Sequence, residues 1–256
     1  MKMLDIRTDI EPGEASAKAH EEAYMDAVLD GAARKMEADI PEEMIRRKLD
    51  AMIAREKLRI NQDPVYNVLA DTVDILDRAF RAVGVTRPMN QVRHEAMDVM
   101  LLSVSADQGE PSRERFCRQL KETVGLYREL PPEFDALLVH IFQEREEEME
   151  KMEPEERIDE VFAVYLGSLN MTEEEWRAQN SEKAAGLVRR DLLLDEVAEA
   201  ERIEVSAGEM AEAYRGIAEQ CGIDTEEVKA GIDAEALEWQ LRRDKAAKII
   251  VGSAVY

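Results

Sequence analysis

Few residues in this chain are suited to chemistry. It has two cysteines, three histidines and an aromatic share of 5% in 256 residues. Cys117 and Cys221 form neither a short metal-ligand pair nor a disulfide framework. Neither has a histidine close in sequence to act as its base, so both are expected to be buried, inert thiols. There is no glycine-rich phosphate loop, hence no visible machinery for nucleotide hydrolysis. No apolar run approaches the length of a membrane span. The N-terminal residues Met1-Lys2-Met3-Leu4-Asp5-Ile6-Arg7 lack an apolar stretch followed by a small-residue cleavage site. A secretory signal is therefore not expected, and the cytoplasm is the expected compartment. Glycine and proline are scarce, at 12 and 8 residues. No segment sustains the alternation of a strand, so the expected class is all-α.

Charge and aliphatic side chains are plentiful. Charged residues make up 36% and hydrophobic ones 45%, and the latter recur with a helical period, which argues against disorder. With 57 acids against 34 bases the net charge is −23. Such a surface repels phosphate backbones and anionic bilayers, so neither nucleic acid nor membrane is expected as a partner. It also favours solubility, and would keep a bound, sticky partner from aggregating.

Helix punctuation is legible. Pro41, followed by Glu42 and Glu43, opens a helix expected to reach about Ile60, with Ile45, Leu49 and Met52 along one face. Asp63-Pro64 opens a second, which Gly84 ends. Further helices are expected over 90–105, 112–128 and 132–152, with Gly109-Glu110-Pro111 and Pro131-Pro132 between them. One more runs from Pro154 to near Gly167. Thr172 with Glu175, and Ser206 with Glu209, have capping-box spacing, in which hydroxyl and carboxylate each satisfy a free amide. The helices they open should end near Ala200 and Gly222, and a last one should run from Asp233 to Val251.

Two segments look alike. Asp26-Ala27-Val28-Leu29-Asp30 corresponds to Asp191-Leu192-Leu193-Leu194-Asp195. At the same offset Ile40 meets Val205, Pro41 meets Ser206, Ile45 meets Met210, Leu49 meets Tyr214 and Met52 meets Ile217. Each copy reads as a helix, a short extended link and a capped helix.

Several short motifs follow one another in a telling order. They are Ala23-Tyr24-Met25-Asp26-Ala27-Val28-Leu29-Asp30 and Asp39-Ile40-Pro41-Glu42-Glu43-Met44-Ile45. Tyr165-Leu166, Asn170-Met171-Thr172-Glu173-Glu174-Glu175 and Ile203-Glu204-Val205-Ser206 come next, then the stretch from Gly222 through Glu226-Glu227-Val228-Lys229. In these motifs the chain resembles the C-terminal domain of bacterial trigger factor, over roughly 15–60 and 157–251; periplasmic parvulin-type chaperones share a related helical unit. The resemblance implies an elongated all-α domain with protruding arm helices, a cradle that binds unfolded or nascent polypeptides without ATP or any cofactor. It assigns 1–60 and 155–256 to one discontinuous helical domain. The stretch 61–154 matches nothing in the family, and its apolar periodicity (Val68, Leu69, Val73, Leu76, Phe80; Leu137, Leu138, Ile141, Phe142) suggests an inserted helical subdomain. The family's ribosome-docking loop and its FKBP-like prolyl isomerase domain have no counterpart in this sequence, so neither ribosome binding nor catalysis is carried over.

The remaining polar residues read as ordinary surface or core. His94 and Asp98 share a helical face, but without a His-Glu-x-x-His pattern they read as a solvated pair and no metal is expected. His20 reads as surface and His140, between Val139 and Ile141, as a half-buried core residue. The run Glu144-Arg145-Glu146-Glu147-Glu148-Met149-Glu150 reads as a solvated helix face. Of the 13 methionines, Met52 belongs to the core stripe, whereas Met44 falls with Ala51 and Leu58 on a second face. Met is adaptable enough to contact varied apolar partners, so Met44, Ala51 and Leu58 are the expected client contacts. Other readings stay open: a module that binds one folded partner or pairs as a homodimer, and an enzyme whose site would need His94, His140 or a cysteine to converge with carboxylates.

Overall fold

The computed structural model describes residues 14–36, 39–103 and 113–253, in which eleven α-helices and no strand are found. In chain order they are α1 (Glu14–Ala33), α2 (Glu42–Asn61), α3 (Pro64–Ala82), α4 (Met89–Ser103), α5 (Arg113–Gly125) and α6 (Phe134–Lys151). There follow α7 (Pro154–Ser168), α8 (Glu173–Ala200), α9 (Ala207–Cys221), α10 (Thr225–Gly231) and α11 (Ala234–Ser253). The chain belongs to the all-α class.

The caps sit where the punctuation put them. Asp63 accepts from Val65 N–H at 2.9 Å and so holds the first turn of α3. Glu175 N–H donates to the Thr172 hydroxyl while Thr172 N–H donates to the Glu175 carboxylate, and Ser206 and Glu209 repeat the exchange before α9. Gly222 closes α9 at φ 68°, a left-handed conformation that glycine takes without a Cβ clash. α10 was not foreseen: at seven residues it is too short to display a period, although Asp224 caps it by accepting from Glu226 N–H.

The chain divides into two compact units, one taking the chain up to Lys48 and from Glu182 onward, the other spanning Leu49–Ser181. The second unit therefore extends beyond the 61–154 set apart from sequence. Ile53, Phe162 and Leu166 form a buried cluster flanked by Tyr165 and Trp176, which ties the later part of α2, α7 and the start of α8 into this unit.

The main core of the second unit forms around α3, which buries Leu69, Ala70, Thr72, Val73, Ile75, Leu76, Ala79 and Phe80. α4, α5, α6 and α7 supply the opposing side chains, among them Val92, Leu120, Leu138 and Val161. Val68, expected on the buried stripe, is 39% exposed. It stands four residues before Thr72, whose hydroxyl donates to its carbonyl at 2.8 Å, on the outer edge of the packed sector.

The first unit has two smaller clusters. Leu29, Leu194, Ala198, Ile203, Ala246 and Ala247 form one, on α1, α8, the link after α8, and α11; Tyr214, Ala218 and Val228 form the other, on α9 and α10. Burial follows the offset of the look-alike segments. Leu29 and Leu194, Ala33 and Ala198, Leu49 and Tyr214, and Ile53 and Ala218 are buried in both copies. Ile45 with Met210, and Met52 with Ile217, are half-buried in both.

Phe80 is fully buried, and the Tyr127 ring meets it edge-on at 5.5 Å between centroids. Phe80→Ala should lower stability by about 3–5 kcal/mol, read as a shifted midpoint in urea denaturation.

Candidate functional site

α2 is a basic helix in an acidic chain: it carries six bases (Arg46, Arg47, Lys48, Arg55, Lys57, Arg59) against four acids (Glu42, Glu43, Asp50, Glu56). Its buried residues are Leu49, Ile53 and Ile60, one face of a 3.6-residue period. The seven-residue spacing of Met44, Ala51 and Leu58 places them on another face. Met44 is half-buried, Ala51 exposed, and Leu58 56% exposed. Arg47 and Arg55 fall on that face between them, both exposed. Sequence reading missed this basic flank, although the charge count of α2 alone would have revealed it.

Within the first unit a cleft of about 480 Å³ lies among α1, α8 and α11. Met25, Leu187 and Leu194 supply apolar wall, and Arg190, Arg243 and Lys248 charged rim. Arg243 grips Asp195 through two contacts of 2.6 Å and covers the Trp239 ring at 4.8 Å from its centroid. Tyr24, Ile223, Trp239 and Ile249 are each more than 40% exposed in this unit.

The second unit holds an ion cluster that the sequence concealed. Arg145, inside the run 144–150 expected to be solvated, is buried. Its guanidinium donates to Asp71 at 2.8 Å and to both oxygens of Glu160 at 2.7 and 2.8 Å. Arg157 donates to the same two carboxylates at 3.0 and 2.9 Å. Next to them Arg78 pairs with Asp74 and Glu148. Burial pushes the Asp74 carboxyl above its usual range despite Arg78 beside it. The correction has a geometric cause: Phe134, Leu138, Ile141 and Arg145 share the inward face of α6, so Arg145 turns in while its acidic neighbours turn out.

The same geometry corrects His140. It is exposed, with Nε2 3.1 Å from Glu144, because the inward positions on either side belong to Leu138 and Ile141. The cysteines are also less buried than expected: Cys117 is half-buried and Cys221, at the end of α9, is exposed. His94 and Asp98 are both exposed. Among the described residues no three His, Cys, Asp or Glu side chains come together as a metal site would need. No helix among them is long and apolar enough to cross a membrane.

Comparison with known proteins gives one family match, to the bacterial trigger factor protein (TF) C-terminus, over residues 113–252, more than half of the chain. The chain belongs to the trigger factor C-terminus family. The match begins inside the stretch 61–154, taking in α5 and α6, and runs through α11 almost to its end. α2 lies outside it. A trigger factor of Geobacter sp. (strain M21) is 39% identical over 94 residues, 35% of this chain and 22% of that protein. The chain thus aligns with less than a quarter of that relative's length. No solved structure matches.

Two measurements probe this geometry. Arg145→Ala leaves Asp71 and Glu160 with Arg157 alone. Both carboxylates are partly exposed and keep Arg157, so the loss should be about 2 kcal/mol, that of hydrogen bonds to charged groups, read from denaturant unfolding. Glu209, held by Lys245 and by the Ser206 amide and hydroxyl, has its carboxyl pulled down to about 2. A depressed carboxylate stabilises the fold fully above its ordinary value near 4.5 and loses that contribution as pH falls through about 2. The Glu209 side-chain resonance should therefore titrate near 2, and the Ser206 amide should lose hydrogen-exchange protection over the same range.

Proposed function

We propose that this chain is an ATP-independent holdase: it binds unfolded or nascent polypeptides in a helical cradle and catalyses no reaction of its own. Its membership of the trigger factor C-terminus family carries this reading. Under it, the segments 1–60 and 155–256 act as the client-binding domain and 61–154 as an insertion, and the protein works in the cytoplasm. The face of α2 bearing Met44, Ala51 and Leu58 is the proposed contact. Apolar groups about two turns apart, flanked by Arg47 and Arg55, suit an extended segment with mixed apolar and acidic side chains. Each contact is weak, because ordering a flexible client costs entropy, and several together give useful affinity with fast release. The net charge of −23 keeps the loaded complex dispersed.

A second reading draws on Leu101, Leu102 and Leu126, which are 60%, 63% and 80% exposed in the second unit. These would serve a single folded partner or a second copy of the chain. Light scattering separates the two. On the first reading, excess chain suppresses aggregation of a chemically unfolded model protein; no protection would favour a dedicated partner. Burying a half-exposed leucine contributes about 1 kcal/mol. Met44→Asp combined with Leu58→Asp should therefore weaken binding of an unfolded peptide by about tenfold or more. Unchanged affinity would remove this face of α2 from the account.

A further inference from the structure

We infer that the second unit carries a carboxylate-binding pocket on Arg93, which takes an acidic group next to an apolar side chain of a polypeptide. The pocket holds about 440 Å³, at the small end of ligand sites, enough for one or two side chains. Phe162, Leu166 and Met171 form its apolar wall, and Arg93 is the cation open to a ligand, since Lys57 already pairs with Asp159.

Arg93 stands out because nothing among the described residues answers its charge. Its Nε is buried without a hydrogen-bond partner, in a chain where acids outnumber bases by 57 to 34. Other half-buried or buried guanidiniums of this unit are answered: Arg145 and Arg157 by Asp71 and Glu160, Arg78 by Asp74, Arg87 by Glu95. Two carboxylates line the Arg93 pocket, but each is engaged elsewhere, Asp159 by Lys57 at 2.7 Å and Glu173 by Arg177 at 2.9 Å. Burial pulls the Arg93 guanidinium below its usual range, with no partner to oppose it.

The seat is shaped as well as charged. A Cβ on Gly167 of α7 would run into Nη1, Nε and Cζ of Arg93, so the guanidinium lies against bare backbone that only glycine leaves clear. A planar fork held in this way can receive a carboxylate bidentately, and a desolvated fork gains most from doing so. The apolar wall selects carboxylates with an apolar neighbour over free acetate or phosphate. Arg242 also has a buried, unpartnered Nε, but Glu199, Glu204 and Glu238 line its cleft and repel an anion.

The pocket lies wholly in the second unit and does not depend on the face of α2. Three short peptides test it on the full chain by NMR titration, following the Arg93 Nε–H resonance. They are acetyl-Gly-Leu-Phe with a free C-terminal carboxylate, the same peptide as its amide, and acetyl-Glu-Leu-Phe amide. A carboxylate peptide should bind about tenfold more tightly than the neutral amide and move the Arg93 resonance. If only the free acid does so, the pocket takes chain ends; if the glutamate amide does so too, it takes acidic side chains. Arg93→Gln should abolish the preference. Gly167→Ala should reduce it with the circular dichroism melt unchanged, since the new methyl displaces only a flexible side chain. Met44→Asp with Leu58→Asp should leave it intact, whatever that variant does to unfolded clients. Equal binding of acid and amide, a preference that survives both Arg93→Gln and Gly167→Ala, or no saturable shift of Arg93 would each overturn the inference.

Discussion

Helix α3 is buried over most of its circumference, and this constraint organises the second unit. A helix packed by four others has little surface left for its own carboxylates, yet Asp71, Asp74 and Asp77 lie along it. Each must be answered at the edge of the core, because a carboxylate leaving water unpaired is costly. Arg145 from α6 and Arg157 from α7 close on Asp71, Arg78 holds Asp74, and Arg81 holds Asp77 at 2.7 Å. Arg145 and Arg157 reach Asp71 from the faces of α6 and α7 that the apolar residues turn inward. α7 in turn presents Phe162 and Leu166 to α2. The apolar core supplies most of the stabilisation, and the ion cluster answers the carboxylates at its edge.

The first unit is held differently. Its clusters are small and rich in alanine, which lets helices approach closely while burying little area. Ion pairs supplement them: Lys48 with Asp191 at 2.7 Å, Arg243 with Asp195, and Lys245 with Glu209 at 2.7 Å. A thin core leaves large side chains such as Tyr24, Trp239 and Ile249 partly uncovered. In a neutral protein such surfaces invite self-association; here the surrounding negative charge opposes it. A surface that is apolar in separate patches and repulsive to its own kind suits the client binding proposed above.

The contrast between the two units also explains what could be read in advance. The long helices from α2 onward were legible, because caps and breakers act locally: Asp63, Thr172, Ser206 and Gly222 do their work within three residues. The look-alike segments were legible because equal burial demands equal spacing, and Leu29 and Leu194 meet that demand. Arg145 was not legible, since an arginine among glutamates has the same appearance whether it faces water or a half-exposed aspartate 74 residues away. His140 and Cys221 failed for a related reason: neighbours in sequence do not decide which side of a helix a packed partner will cover.

Local stereochemistry and composition, acting without reference to the rest of the molecule, determined the helical class, the helix ends, the strong negative charge and the internal resemblance between 26–52 and 191–217. Only the tertiary structure decided where the units divide, that Arg145 is enclosed while His140 is not, and that Arg93 rests against Gly167 with no carboxylate in answer among the described residues. Those outcomes depend on which charges approach one another across long stretches of chain. Coulomb and desolvation energies follow distance and burial, which a linear order of residues does not contain.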